Sequence, residues 1–403
     1  MRKKFLSVFL SVAMAVTLLA GCSSSSGSKT SSGSDTSKTK TSETTSKAGS
    51  STTAKGSGTI GIAMPTKSLE RWNRDGSYLE EQFKKAGYKV ELTYSDNNSD
   101  QQVNDIQNLI ADKVNLLVVA AIDGDTLSTV LADAKGQNIP VIAYDRLIMN
   151  TDAVSYYVSF DNYSVGKLQA QYIIDTLKLD SAGSKTYNME ITAGDPADNN
   201  AKFFYNGAMD TLKKYVDKGT IKIPSGQTKF EDVATAQWDT SKAMDRMQNI
   251  LASYYANGSQ LDVCLCSNDS TALGVEQAVA SDYAGKNVPL VTGQDGDEAN
   301  LKNIIDGKQA MTVYKAVANE AVVTLNLAES MLKGNKPDKG LISDSGWSFK
   351  CNYDTTSYNN GKAIIPSYLL TPDVVTKDNY KEKLVDTKYY TVGSDGYLKA
   401  ATN

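Results

Sequence analysis

Short apolar runs alternate with longer amphipathic segments from Gly58 to about Leu332. TIGIAM at 59–64, residues 89–94, LLVVAAI at 116–122, PVIAY at 140–144 and residues 156–160 read as strands. Segments 69–86, 101–111 and 126–135 between them carry apolar residues at helical spacing. The rhythm then restarts with helix 165–177, strand 187–191, helix 201–215, strand 222–230, helix 241–255 and strand 261–266. It continues with helix 270–280, strand 289–292, helix 298–305, strand 310–314 and a long helix over 316–332. Strands this apolar are buried on both faces, as in a parallel sheet covered by helices. Two successive sets of strand–helix units predict an α/β protein with two doubly wound, Rossmann-like parallel-sheet domains rather than one very wide sheet.

The first 57 residues break the pattern. Arg2, Lys3 and Lys4 precede a sixteen-residue apolar run, Phe5 to Ala20, followed by Gly21 and Cys22. A basic start and a short apolar stretch are the parts of an export signal, and the run falls short of the roughly 20 residues that span a bilayer. Leu19-Ala20-Gly21-Cys22 resembles the bacterial lipobox, so residues 1–21 are expected to be cleaved and Cys22 to carry lipid. From Ser23 to Ser57, 22 of 35 residues are Ser or Thr, a composition that cannot offset its ordering entropy by burial. Residues 22–57 are therefore expected to be a disordered tether, about 30 Å in root-mean-square span.

Composition narrows the chemistry. None of the 403 residues is His, which excludes Ser-His-Asp and Cys-His catalysis and His-based zinc sites. With 42 Lys+Arg against 46 Asp+Glu, no strongly basic balance points to nucleic acid. Cys264 and Cys266 are two apart in a strand, share one face and do not form a CxxC pair; with Cys351 they read as small core residues.

Polar residues collect after the strands, where open parallel sheets bind ligands. Pro65-Thr66-Lys67 follows TIGIAM, with Arg71-Trp72 opening the next helix, and Asp145-Arg146 follows PVIAY. Gly194-Asp195-Pro196 and Asp198-Asn199-Asn200, Ser267-Asn268-Asp269, Gln294-Asp295 and Lys315 follow later strands. Such side chains supply dense hydrogen-bonding capacity, and Trp72 and Trp238 supply flat apolar faces. A monosaccharide, with C–H faces and a hydroxyl rim, suits both. Each element also has a plainer reading: Asp and Asn after a strand often cap helices, and Asp145–Arg146 could be a structural ion pair. Neither GxGxxG at a strand–helix junction nor GxxxxGK[ST] occurs, and no G-x-S-x-G elbow is present. Asp295-Gly296-Asp297-Glu298 lacks the ligand spacing of an EF-hand, so no metal or other cofactor is expected.

Residues 58 to about 390 resemble bacterial ABC-transporter sugar-binding proteins of the type I periplasmic-binding fold, in the multiple-monosaccharide and D-xylose branch. The stretches that carry the resemblance are AMPTKSLERW, VIAYDRLI, YYVSFDN, DPADNNAKFF, AQWDTSKAM, SNDSTALG, TGQDGD, MTVYK and IPSYLLTP. It implies sugar contacts from Arg71, Asp145, Arg146, Asn200, Asn268, Asp295 and Lys315, stacking by Trp72 and Trp238, and further contacts from Asp198 and Lys67. It also implies a three-stranded hinge between one lobe of residues 58–163 plus 316–362 and another of 164–315 plus 363–403. A xylose-, glucose-, galactose- or arabinose-class sugar would sit in the cleft and stabilise a closed state, read by an ABC permease and its ATPase.

The expectation is a non-enzymatic, monomeric, lipid-anchored binding protein on the outer face of a Gram-positive cytoplasmic membrane. The rival readings are a sugar receptor feeding a chemoreceptor or sensor kinase, and an exported glycosidase using an Asp/Glu pair.

Overall fold

The computed structural model describes residues 56–401. The expected export signal, Cys22 and nearly all of the Ser/Thr-rich segment lie outside the described residues. Among the described residues, no helix is long and apolar enough to cross a membrane.

The first half runs β1 (Thr59–Met64), α1 (Glu70–Ala86), β2 (Lys89–Tyr94), α2 (Ser99–Ala111), β3 (Leu116–Val119), α3 (Ser128–Gly136), β4 (Val141–Tyr144) and β5 (Val154–Phe160). Alternate strand residues point to opposite faces, and both faces are apolar. Ile60, Ile62, Leu116, Val118, Ile142 and Tyr144 pack with Trp72, Leu79 and Phe83 of α1. Ala63, Leu117, Val119, Val141 and Ala143 pack with Ile106, Leu109 and Ile110 of α2 and with α3. Burying each large side chain contributes roughly 1.5–3 kcal/mol, which is why these short strands need helices on both sides.

The chain then enters a second lobe through α4 (Asn162–Leu177) and continues with β6 (Tyr187–Thr192), α5 (Asn199–Asp217), β7 (Ile221–Lys222), α6 (Phe230–Val233), α7 (Thr240–Ile250) and β8 (Val263–Cys266). Next come α8 (Asp269–Asp282), β9 (Leu290–Val291), α9 (Glu298–Asp306) and β10 (Met311–Tyr314). The parallel sheet has the order β7-β6-β8-β9. Met189, Ile191, Val263 and Leu265 pack on α4 and α5, while Cys264 and Cys266 face the other way among Met247, Ile250, Ala272 and Val275. The thiols are free and buried, as their shared face predicts.

Helix α10 (Val317–Leu332) returns to the first lobe and packs beside α1, its Val317, Ala321 and Leu327 joining that core. After α11 (Gly340–Ser345), β11 (Cys351–Asp354) and β12 (Ser367–Leu370) extend the first sheet to the order β11-β12-β5-β4-β3-β1-β2. Strand β13 (Asp373–Thr376) pairs antiparallel with β10, and β14 (Tyr390–Val392) with β15 (Leu398–Ala400) ends the second lobe.

Two expectations change. The last passage between lobes falls after Leu370, not at 362, because residues 367–370 pair with Tyr157–Phe160 of β5. The strand expected over 222–230 stops at Lys222. Pro224 cannot donate to a ladder, Gly226 takes φ +69°, and Ser225 gives its N–H and hydroxyl to the Glu190 carboxylate.

Candidate ligand-binding site

Strand ends from both lobes converge on one small, tightly closed cavity. Its wall contains ten of the residues expected from sequence: Arg71, Trp72, Asp145, Arg146, Asp198, Asn200, Trp238, Asn268, Asp295 and Lys315. Lys67 is the exception: it is exposed, its ammonium 4.8 Å over the Tyr94 ring, and it does not line the cavity.

Two aspartates anchor the arrangement, and both have positive φ. Asp145 follows β4 at φ +56°, a left-handed conformation that Asp tolerates better than most residues. Its carbonyl accepts from Tyr157 Oη (2.5 Å), Ser159 Oγ (2.8 Å) and Asn200 Nδ2 (2.7 Å), the last reaching across from the second lobe. Its Oδ2 lies 3.1 Å from both Arg71 Nη2 and Lys315 Nζ. Burial works to raise this carboxyl, but Arg71, Lys315 and Arg146 together hold it down to about 2.

Asp295 sits at φ +105°, further from ordinary backbone. Its carboxylate is 3.4 Å from Arg71 Nη1 and 3.6 Å from Lys315 Nζ. The turn is drawn inward by Asp269, whose Oδ2 accepts from the backbone N–H of Gly296 (2.8 Å) and Asp297 (2.9 Å) and from Thr312 Oγ1 (3.1 Å). Burial, then the nearby Asp297 and Asp295, raises the Asp269 carboxyl.

Arg71 is the hub. Besides Asp145 and Asp295 it donates through Nε and Nη2 to Asp75 at 3.2 and 3.1 Å, and Glu320 lies 4.0 Å away. Tyr144 Oη also donates to Asp75, at 2.7 Å. Burial opposes the Arg71 charge, yet the carboxylates of Asp145, Asp75 and Asp295 raise its pKa on balance. Arg146 Nε is 3.0 Å from Asp198 Oδ2, and its Nη1 donates to the Ala121 carbonyl at 3.0 Å. Both guanidiniums lie against the Trp72 ring, at 4.4 and 5.0 Å.

The capping and cavity roles coincide. Asp198 caps α5 by accepting from Asn200 N–H while pairing with Arg146. Asn268 caps α8 through Oδ1, and its Nδ2 donates to Ser270 Oγ at 3.2 Å. Trp238 is carried on a loop in which Gln237 (φ +63°) and Trp238 (φ +56°) are both left-handed. Its ring packs so closely on Gly194 that a Cβ there would lie 1.9 Å from it. Trp72 Nε1, Trp238 Nε1 and Gln294 Oε1 are buried without a protein hydrogen-bond partner among the described residues.

Leu69, Phe204, Ser270 and Gln294 complete the wall, while Asp75 and Glu320 support Arg71 and Asp269 supports the Asp295 turn from outside it. Local signals existed for several: Asp75 and Phe204 lie one helical turn after Arg71 and Asn200, Gln294 adjoins Asp295, and Glu320 is the lone acid in an apolar stretch of α10. The faint calcium-like run is engaged otherwise: Asp297 pairs with Arg74 and Glu298 with Lys399.

A periplasmic binding protein domain model matches residues 60–336. The multiple sugar-binding periplasmic receptor ChvE of Rhizobium radiobacter is 41% identical over 340 residues, 84% of this chain and 92% of that protein. The D-xylose-binding periplasmic protein of Escherichia coli K12 is 35% identical over 331 residues, 82% and 90% of the two chains. Among solved structures, an ABC transporter solute binding protein from Clostridium phytofermentans with bound β-D-glucose is 51% identical, with a TM-score of 0.78 over 84% of this chain and 99% of that one. A carbohydrate transporter solute binding protein from Chloroflexus aurantiacus, in complex with D-glucose, is 31% identical with a TM-score of 0.73, covering 83% and 97%. A doubly wound sheet in each lobe, a cavity built from facing strand ends and matches that span most of both chains lead to one conclusion: the chain belongs to the periplasmic binding protein domain family.

Proposed function

We propose that this chain captures an aldose monosaccharide, of the glucose, xylose, galactose or arabinose class, in the cavity between its lobes and delivers it to an ABC importer. The observation that carries the reading is the charge balance of the wall. Arg71, Arg146 and Lys315 oppose Asp145, Asp198 and Asp295, three cations against three anions. A wall neutral in sum but dense in fixed donors and acceptors favours an uncharged ligand with many hydroxyls. The Trp72 and Trp238 faces suit the C–H surfaces of a sugar ring, and their unpartnered N–H groups, with Gln294 Oε1, are buried polar atoms that a hydroxyl rim would satisfy. The sugar-bound relatives support this reading.

In this proposal sugar contacts come from the ten wall residues, and the passages after Phe160, Tyr314 and Leu370 act as the hinge. A ligand touching both lobes stabilises only the closed arrangement, which is the form a permease would read. Lipid on Cys22 would hold the protein at the outer face of the cytoplasmic membrane; incorporation of labelled fatty acid, lost in Cys22→Ala, tests that anchor.

Thermal unfolding against a panel of mono- and disaccharides tests the capture. A ligand at 100 times its dissociation constant stabilises the native state by about 2.7 kcal/mol, so one or a few aldoses should raise the unfolding temperature by several degrees. No shift with any sugar overturns the reading.

A further inference from the structure

Helix α1 meets the second lobe along two neighbouring stripes. Arg71 and Asp75, one turn apart, belong to the cavity and its support. Glu70, Arg74 and Tyr78 repeat at the same four-residue spacing beside them and line no part of the cavity. That outer stripe grips the turn after Asp295. The Glu70 carboxylate accepts from the backbone N–H of Glu298, at 3.1 and 3.2 Å, at the start of α9 where the helix dipole favours negative charge. Arg74 Nη1 pairs with Glu70 at 2.5 Å, and its Nη2 donates to the Asp295 carbonyl at 3.1 Å and to Asp297 Oδ1 at 3.2 Å. Tyr78 Oη donates to the Ala401 carbonyl at 3.1 Å.

These contacts are largely withdrawn from water: the Arg74 side chain is 10% exposed and Asp297 9%, with Glu70 wetter at 38%. The gripped turn is rigid on its own side, held by Asp269 at two N–H groups and by Tyr390 Oη at the Gly296 carbonyl.

We infer that Glu70 and Arg74 form a clamp outside the cavity that sets ligand affinity by holding the two lobes together, acting as positioning residues and not as ligand contacts. The inference rests on the sugar-capture reading above. Bonds between lobes exist only in the closed arrangement, so the clamp adds to the closed population. Apparent affinity scales with the fraction of molecules in the binding-competent state. Loss of the clamp therefore weakens every ligand by the same factor, whereas loss of a cavity contact changes the ranking of ligands.

The test is calorimetric titration of the protein and its Arg74→Gln and Glu70→Gln variants with D-glucose and with D-xylose, paired with small-angle scattering without ligand. Asp297 is pushed up to about 7, chiefly by burial, so it can take a proton when Arg74 is replaced; the half-exposed Glu70→Gln provides a second, milder variant. Arg74→Gln is expected to weaken both sugars by the same factor, about tenfold or more, and Glu70→Gln by a smaller common factor. The ligand-free variants should show a larger radius of gyration than the unaltered protein. Unchanged affinity for both sugars, or a loss confined to one, overturns the clamp. If the unaltered protein bound neither sugar, the capture reading would fail, and scattering alone would decide the clamp: expansion supports it and no expansion overturns it.

Discussion

The turns that carry Asp145 and Asp295 do the same job with opposite chemistry. Each follows a parallel strand, bends its aspartate to positive φ and aims a carboxylate at Arg71 and Lys315. In the first lobe the strained residue is held through its carbonyl by neutral donors, Tyr157, Ser159 and Asn200. In the second lobe the turn hangs on a buried acid, Asp269, and borders another, Asp297. The first turn is buffered against pH, because its carboxyl is held down to about 2 and its supports do not titrate near neutrality. The second sits among carboxyls that burial has raised.

The largest effect falls where the two turns share a partner. Arg71→Ala leaves Asp75, Asp145 and Asp295 facing one another without their common cation. It is expected to cost about 3–5 kcal/mol of stability and to abolish any sugar-dependent shift in thermal unfolding. A stable variant that still binds would break the view that one arginine ties the turns together.

Proton linkage separates the turns next. Folded Asp297 keeps its proton to about 7, against 3.8 for an unperturbed Asp, so between those values the folded chain binds more protons than the unfolded one. Stability from this group is therefore highest at acid pH and declines as pH rises toward 7, by on the order of 4 kcal/mol in all. Asp145 works the other way, losing its contribution as pH falls from 3.8 toward about 2. Denaturant unfolding from pH 5 to 8 should show the decline, and Asp297→Asn should flatten it; an unchanged slope would refute the contrast.

Removing one support from each turn sharpens the comparison. Asp269→Asn replaces the carboxyl whose Oδ2 is shared by two backbone donors and should weaken sugar binding by about 2 kcal/mol. Tyr157→Phe removes one of three donors to the Asp145 carbonyl and should cost about 1 kcal/mol. Isothermal titration with D-glucose measures both, and the reverse order would mean that the neutral scaffold is the weaker one. The smallest effect is expected at Lys67, which touches neither turn: Lys67→Ala should change affinity by less than about 0.5 kcal/mol.

Much of this was legible in the sequence because parallel sheets impose a local signature. The run TIGIAM announces a strand buried on both faces, and Asp145-Arg146 announces a polar strand end. The stretch KIPSGQTKF shows the limit: its place in the strand–helix rhythm suggested a strand, but Pro224, Gly226 and the pull of Glu190 on Ser225 turned it into a loop. Asp269 shows another, since its place after Asn268 suits a helix cap or a ligand contact, and the structure gives it a third role beneath the Asp295 turn.

The sequence by itself determined the α/β class, the repetition of the fold in two lobes and most residues of the wall, because burial periodicity and strand-end chemistry are local properties written within a few residues. Tertiary structure alone decided that Lys67 stays outside while Phe204 comes in, that the last passage between lobes follows Leu370, and that Glu70 and Arg74 reach Glu298 and Asp297. Those facts depend on how two lobes face each other. Periodicity reports whether a side chain is buried, but the partner that buries it lies more than two hundred residues away in the chain.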